Sequence, residues 1–226
     1  MDIKLHYTEQ GEGDPLILLH GNGEDGTYFV HQTSHFSKTR RVIAVDTRGH
    51  GKSPRGTAPF GIRQFAEDLR AFLDELQIEQ ADILGFSDGG NIALTFAILC
   101  PERVRRLILN GANLNPGGVK PSVQIPIVIG YHITSLFAGK SAKARNHAEL
   151  LGLMVHDPDI GTEELKKVRA KTLVIVGTKD MIRESHTRQI YDHLPDARLV
   201  ILPGDHFIAN KNPDRFNRAV EAFLRE

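Results

Sequence analysis

The chain has 226 residues, long enough to bury a substantial core, and strand and helix signals alternate along its whole length, which favours a single domain, 1–226. Lys plus Arg and Asp plus Glu both number 28, so the formal charge is zero and no bulk field gathers nucleic acid or an anionic membrane. One cysteine, Cys100, excludes an internal disulfide; with no secretion signal at Met1–Leu5 and an apolar stretch at 123–137 broken by Pro126, Gly130 and His132, the expectation is a soluble, cytoplasmic protein with no membrane insertion.

Ile3 to Tyr7 alternates as a half-exposed strand does, and Gly11–Pro15 reads as a turn into a short buried strand, Leu16–Leu19. A helical segment begins near Asp25 and leads to a second buried strand, Val42–Val45. Ile62, Phe65, Ala66, Leu69, Phe72, Leu73 and Leu76 recur at helical spacing and predict an amphipathic helix. A strand at Ala81–Leu84 is followed by Asn91–Leu99, apolar nearly all round, as a helix buried against a sheet would be; it ends at Cys100, read as a buried structural thiol. Val104–Leu109, Leu173–Val176 and Leu199–Leu202 are further strands, and Phe216, Val220, Phe223 and Leu224 mark a closing helix. Such alternation implies an α/β fold with a mostly parallel sheet covered by helices on both faces. The one break lies at about 113–164, where apolar residues mix with Pro and Gly. At about fifty residues it exceeds an ordinary loop, so a short helical cap over the carboxyl ends of the strands is favoured over a plain connection.

Gly85-Phe86-Ser87-Asp88-Gly89 stands where a strand gives way to a strongly apolar helical run, the setting of a nucleophile elbow. Such a turn strains the serine backbone and lifts its hydroxyl above the sheet, which requires flanking positions nearly free of side chain; Gly85 and Gly89 meet that need. The N–H of Asp88 then falls in the first turn of a helix, where unpaired donors and the positive end of the dipole can hold an oxyanion. A serine needs a base to take its proton and a carboxylate to orient that base. Asp180 follows the strand that includes Val174–Val176, and His206 follows the last strand, in the chain order Ser87, Asp180, His206. Among 11 histidines, His20 and His50 sit in glycine-rich turns and read as structural, while His132, His147 and His156 fall in the cap. The rival acid position after Leu109 is Asn110, and Asp205 would have to fold back on its own neighbour. A competing motif, Gly21-Asn22-Gly23-Glu24-Asp25-Gly26 with Asp46 about twenty residues on, fits a dinucleotide-binding oxidoreductase, but it aims two carboxylates at a pyrophosphate and leaves the triad unexplained. Gly51-Lys52-Ser53 suggests the end of a P-loop, yet the leading glycine position is Asp46 and Pro54 opposes the helix that must follow.

Together, His20-Gly21-Asn22-Gly23, Asp46-Thr47-Arg48-Gly49-His50-Gly51-Lys52-Ser53, the elbow, Asp180 and His206 make the chain resemble the α/β-hydrolase fold over essentially its whole length. It is most similar to small bacterial esterases and lactonases and to a valacyclovir-hydrolase-like branch. The resemblance implies a sheet of about seven or eight strands, with seven favoured by a short N-terminal region, and a small cap. It also implies that the N–H groups of Asn22 and Asp88 form the oxyanion hole and that the Arg48 segment is architectural. The activity expected is hydrolysis of a small-molecule ester, thioester or lactone through an acyl-enzyme, with no metal or organic cofactor. A lyase, C–C hydrolase or perhydrolase would use much the same residues, and a ligand-binding receptor with little turnover is a further alternative. For the Asp88 side chain two roles stand: a helix N-terminal carboxylate without substrate contact, or a partner for a substrate ammonium, as the resemblance to amino-acid-ester hydrolases implies. Oligomeric state is left open.

Overall fold

Short runs apolar on both faces become the middle of a sheet, because only there is each face covered. In the computed structural model, which describes residues 2–226, the strands are β1 (Tyr7–Gln10), β2 (Pro15–Leu19), β3 (Arg41–Val45), β4 (Ala81–Phe86), β5 (Val104–Asn110), β6 (Lys171–Lys179) and β7 (Ala197–Asp205). They form one seven-stranded sheet in the order β1-β3-β2-β4-β5-β6-β7, parallel throughout except for the antiparallel edge strand β1. The two-residue period of the strands divides the core. Ile17, Leu19, Ile43 and Val45 point to one side, with α2 (Ile62–Glu75), α3 (Asp88–Leu99) and residues of α6 (Glu184–His193). Leu16, Leu18, Val42 and Ala44 point to the other, where they meet residues of α1 (Val30–Phe36) and α8 (Pro213–Leu224). Each fully buried aliphatic or aromatic side chain in these layers contributes about 1.5–3 kcal/mol.

Arg48 is among the largest fully buried side chains, and Asp68 makes that tolerable by accepting from both Nε and Nη2 at 2.7 and 2.8 Å. Asp2 closes the network with a 2.6 Å hydrogen bond from Nη2. A guanidinium held so from both sides ties α2 to the loop after β3, in keeping with the architectural role expected for this segment.

Four elements differ from the sequence reading. The first strand begins at Tyr7, where the Ile3–Tyr7 alternation ends, because pairing with β3 is set by backbone register (Tyr7 opposite Val45, Gln10 opposite Val42), and an edge strand can expose Thr8, Glu9 and Gln10. Pro126 and Gly130 do not interrupt their segment: α4 runs continuously from Pro121 to Phe137, with α5 (Ala142–His156) packed on it. Finally, α6 and the single-turn α7 (Ile208–Lys211) follow β6 and β7. No described helix is long and apolar enough to cross a membrane.

The segment between β5 and β6 thus contains two main helices. It is attached through Val119, which bridges Ile182, through Lys120 N–H donating to Met181 O at 2.9 Å, and through Arg55, whose guanidinium donates to Glu149 at 2.7 and 3.0 Å. A cavity of about 280 Å³ lies between it and Phe60, lined also by Tyr131, Gly152 and His156.

Candidate active site

The carboxyl edge of a parallel sheet is where chain reversals open a crevice, and every candidate residue lies there: Asn22 after β2, Ser87 after β4, Asp180 after β6 and His206 after β7. Ser87 has φ 52° and ψ −118°, a left-handed backbone seldom adopted by a residue with a side chain. Two bonds hold it so: its N–H donates to Asn110 O at 2.8 Å and its C=O accepts from Asn91 N–H at 3.0 Å. The glycines around it are needed for close approach. A Cβ on Gly89 would collide with the backbone of Leu19, and one on Gly85 with the backbone of Gly89.

The structure brings the three expected side chains together. His206 Nε2 lies 3.0 Å from Ser87 Oγ, and Nδ1 lies 2.7 Å from Asp180 Oδ1. The same Asp180 oxygen accepts from the Ile182 N–H at 2.9 Å, which fixes the carboxylate plane. His206 and Asp180 are both buried, and Phe86 and Phe207 pack against the imidazole. Asp205, the alternative acid, instead pairs with Lys211 and accepts from the Phe207 N–H. Asn110, at the other alternative position, donates its side chain to Ile175 O. Gly111, which the sequence did not single out, has φ 66°, and a Cβ there would stand 2.6 Å from His206 Cε1. A β-strand ending in Asn-Gly was its one local signal.

A family model described as the alpha/beta hydrolase fold matches residues 14–132. The chain belongs to the α/β-hydrolase-fold family. It is 35% identical over 222 residues to a 2-hydroxymuconate semialdehyde hydrolase of Pseudomonas putida, covering 94% of this chain and 74% of that protein. It is 30% identical over 247 residues to the serine hydrolase BPHL of Mus musculus, covering 99% and 84%. In structure it is similar to the enol-lactonase of Burkholderia xenovorans LB400, with a TM-score of 0.83 and 24% identity over 99% of this chain and 97% of that one.

Around the Ser87, His206 and Asp180 side chains of this family member runs a buried amide network. Asn22 Nδ2 donates to Asp88 Oδ2 at 2.9 Å and to the α5 carbonyl of Leu150 at 2.7 Å. Asn91 Nδ2 donates to Asp88 Oδ1 at 3.3 Å and to Asn113 Oδ1 at 3.0 Å, while Asn113 N–H returns a bond to Asn91 Oδ1 at 2.9 Å. Both Asp88 oxygens therefore take protein amides. Burial pushes its carboxyl up to about 6, against the pull of the Asn22 hydrogen bond. The two residues expected in the oxyanion hole are thus joined by their side chains, a contact that residues 66 positions apart do not announce in sequence.

The glycine-rich loop before Asn22 closes on itself. Glu24 accepts from the Gly21 N–H at 3.1 Å, and burial pushes its carboxyl up to about 7. Asp25 caps the next turn at the Thr27 N–H, and Asp46 accepts from Gly26 N–H, Lys52 N–H and the His6 ring. The Gly21, Glu24 and Gly26 amides of this loop and the acid Asp46 that a dinucleotide would need are engaged internally. His20 is structural as expected: Nδ1 donates to Gly21 O at 2.7 Å, Nε2 accepts from Thr47 N–H at 3.1 Å, and burial, with His50 beside it, lowers the ring to about 4 and keeps it neutral.

Proposed function

We propose that this protein is a serine hydrolase of small carboxylic esters, thioesters or lactones, working through an acyl-enzyme. The observation that carries the reading is the Ser87–His206–Asp180 relay at 3.0 and 2.7 Å, with Ser87 in a strained elbow at a helix N-terminus. His206 Nε2 takes the Ser87 proton as Oγ attacks the carbonyl carbon, and Asp180 holds the ring tautomer and stabilises the imidazolium without taking its proton. The carbonyl oxygen gains the electron pair and is held by the N–H groups of Asn22 and Asp88. Collapse of the tetrahedral intermediate expels the alcohol or thiol, which receives the proton from His206; water then attacks the acyl-enzyme by the same route and regenerates Ser87. No metal or organic cofactor enters this sequence.

The Asp88 side chain is assigned to holding Asn22, and through it the oxyanion loop, because both oxygens are engaged and the group is buried. A substrate ammonium would have to displace one of those amides. The segment 113–164 is assigned as a lid within a single domain, its α5 backbone joined to the oxyanion loop through Asn22. A second reading, hydrolysis of a C–C bond by the same triad, is favoured by the 35% identity to the 2-hydroxymuconate semialdehyde hydrolase. The test is pre-steady-state turnover of a chromogenic acetate ester. A burst stoichiometric with enzyme and absent in Ser87→Ala supports the ester reading; turnover of a vinylogous 1,5-diketo acid with no ester burst supports the second. A ligand-binding receptor gives neither.

A further inference from the structure

The helix α4 breaks the rule that an apolar helix is a buried one. Its 17 residues, PSVQIPIVIGYHITSLF, include no charged side chain, yet none of them is buried. Ile125, Ile129 and Ile133 are each more than half exposed, Leu136 is 77% exposed and Phe137 52%. Steps of four, four and then three or four residues set these five on one face. Together they form a patch of a kind that marks an interaction surface.

The charge around the patch selects what covers it. From residue 121 to 148 the chain has three basic residues, Lys140, Lys143 and Arg145, and no acidic one; all three are exposed and follow the carboxyl end of α4. The next acid, Glu149, is already engaged by Arg55. An isologous contact between two copies through α4 would offer these bases no carboxylate from the facing 121–148 segment. An anionic lipid surface meets both features, since its acyl boundary takes the apolar side chains and its phosphates take the bases. We propose that α4 and the bases that follow it, Lys140 in the turn and Lys143 and Arg145 at the start of α5, form a peripheral docking surface for an anionic bilayer, with Ile125, Ile129, Ile133, Leu136 and Phe137 at the headgroup–acyl boundary. The helix lies on the bilayer and does not span it, consistent with the lack of a membrane-crossing helix among the described residues. The zero net charge of the whole chain is no obstacle, because screening makes the bilayer respond to charges within about 10 Å of it. This surface is independent of the triad and stands or falls without it.

The experiment is co-sedimentation of the full chain with vesicles of phosphatidylcholine alone and of phosphatidylcholine with phosphatidylglycerol, at low and high salt. The expected result is binding to the anionic vesicles that is weaker by about tenfold or more on neutral vesicles or at high salt. The pair Ile129→Asp and Ile133→Asp should abolish binding. Lys140→Glu with Lys143→Glu should reduce it at least about tenfold while the far-UV spectrum and Tm are unchanged, which shows the fold intact. Absence of sedimentation with anionic vesicles overturns the proposal, as does binding that neither pair alters. A concentration-dependent dimer by light scattering, dissolved by the isoleucine pair and without vesicle binding, overturns it in favour of a second copy of the chain.

Discussion

The elbow and the β5–β6 insert are neighbours built in opposite ways. Around Ser87 the packing is dense: Leu19, Leu84, Asn91 and Asn110 are buried, the serine backbone is held at φ 52°, and each imidazole nitrogen has a partner. In α4 nothing is buried, and in α5 only Ala148 and Leu153 are. The insert is tied to the body at its base, by Lys120 N–H to Met181 O and Arg183 N–H to Gly118 O among others, and Asn22 to Leu150 O reaches the oxyanion loop directly. In the proposed reading, bond-making falls to a preorganised body, where misplacement by an ångström is costly, and selection of what reaches it to a less buried segment.

The comparison breaks first at the triad. Ser87→Ala should lower kcat by about three orders of magnitude or more with an unchanged far-UV spectrum, because nucleophile, base and acid act as a unit. Asp180→Asn should cost roughly two to four orders in kcat through loss of the tautomer and of imidazolium stabilisation, while Asp205→Asn stays near wild type; the reverse pattern in steady-state kinetics would move the acid to Asp205. Gly111→Ala should cost about one to two orders, since its Cβ would press on His206 Cε1 from 2.6 Å and its φ of 66° disfavours a side chain.

Changes in the insert should read out differently. Replacing Pro121–His156 by a short linker should shift KM and the preferred acyl chain length more than kcat on a very small ester; a folded variant with an unaltered chain-length profile would deny the lid. The smallest effect concerns Asp88. Burial places its carboxyl at about 6 in the fold against an ordinary 3.8, so between those values the native state binds more protons than the unfolded state. Stability therefore falls as pH rises through that window, by on the order of 2–3 kcal/mol at most. In Asp88→Asn that part of the pH dependence should vanish, which Tm measured between about pH 4 and 7 would show.

The body of the fold was legible because its signals are local: Leu16–Leu19, Val42–Val45 and the elbow each announce themselves within a few residues, and the chain order Ser, Asp, His linked the rest. Buried strands gave clear runs, whereas β1 did not, since an edge strand is specified by its partner's register and Thr8, Glu9 and Gln10 follow no alternation. Helix α6 was missed because ESHTRQIYDH buries only His186, Thr187 and Ile190, too few to make an apolar stripe. The continuity of α4 was hidden by Pro126 and Gly130, two breakers that a helix can absorb at the loss of a hydrogen bond and some entropy. Within the site, the partners of Asn22 and Asp88 were invisible for a different reason: they join the loop after β2 to helices α3 and α5, 66 and 128 residues away, and only the folded chain brings those together.

The measurement that bears most directly on the central claim is labelling of the intact protein with a fluorophosphonate, followed by peptide mass spectrometry, in wild type and in His206→Ala. The account predicts a single adduct on Ser87 in the wild type, formed far more slowly or not at all once the His206 imidazole is removed. An adduct mapped to any other serine, or labelling of Ser87 at the same rate without His206, would contradict it.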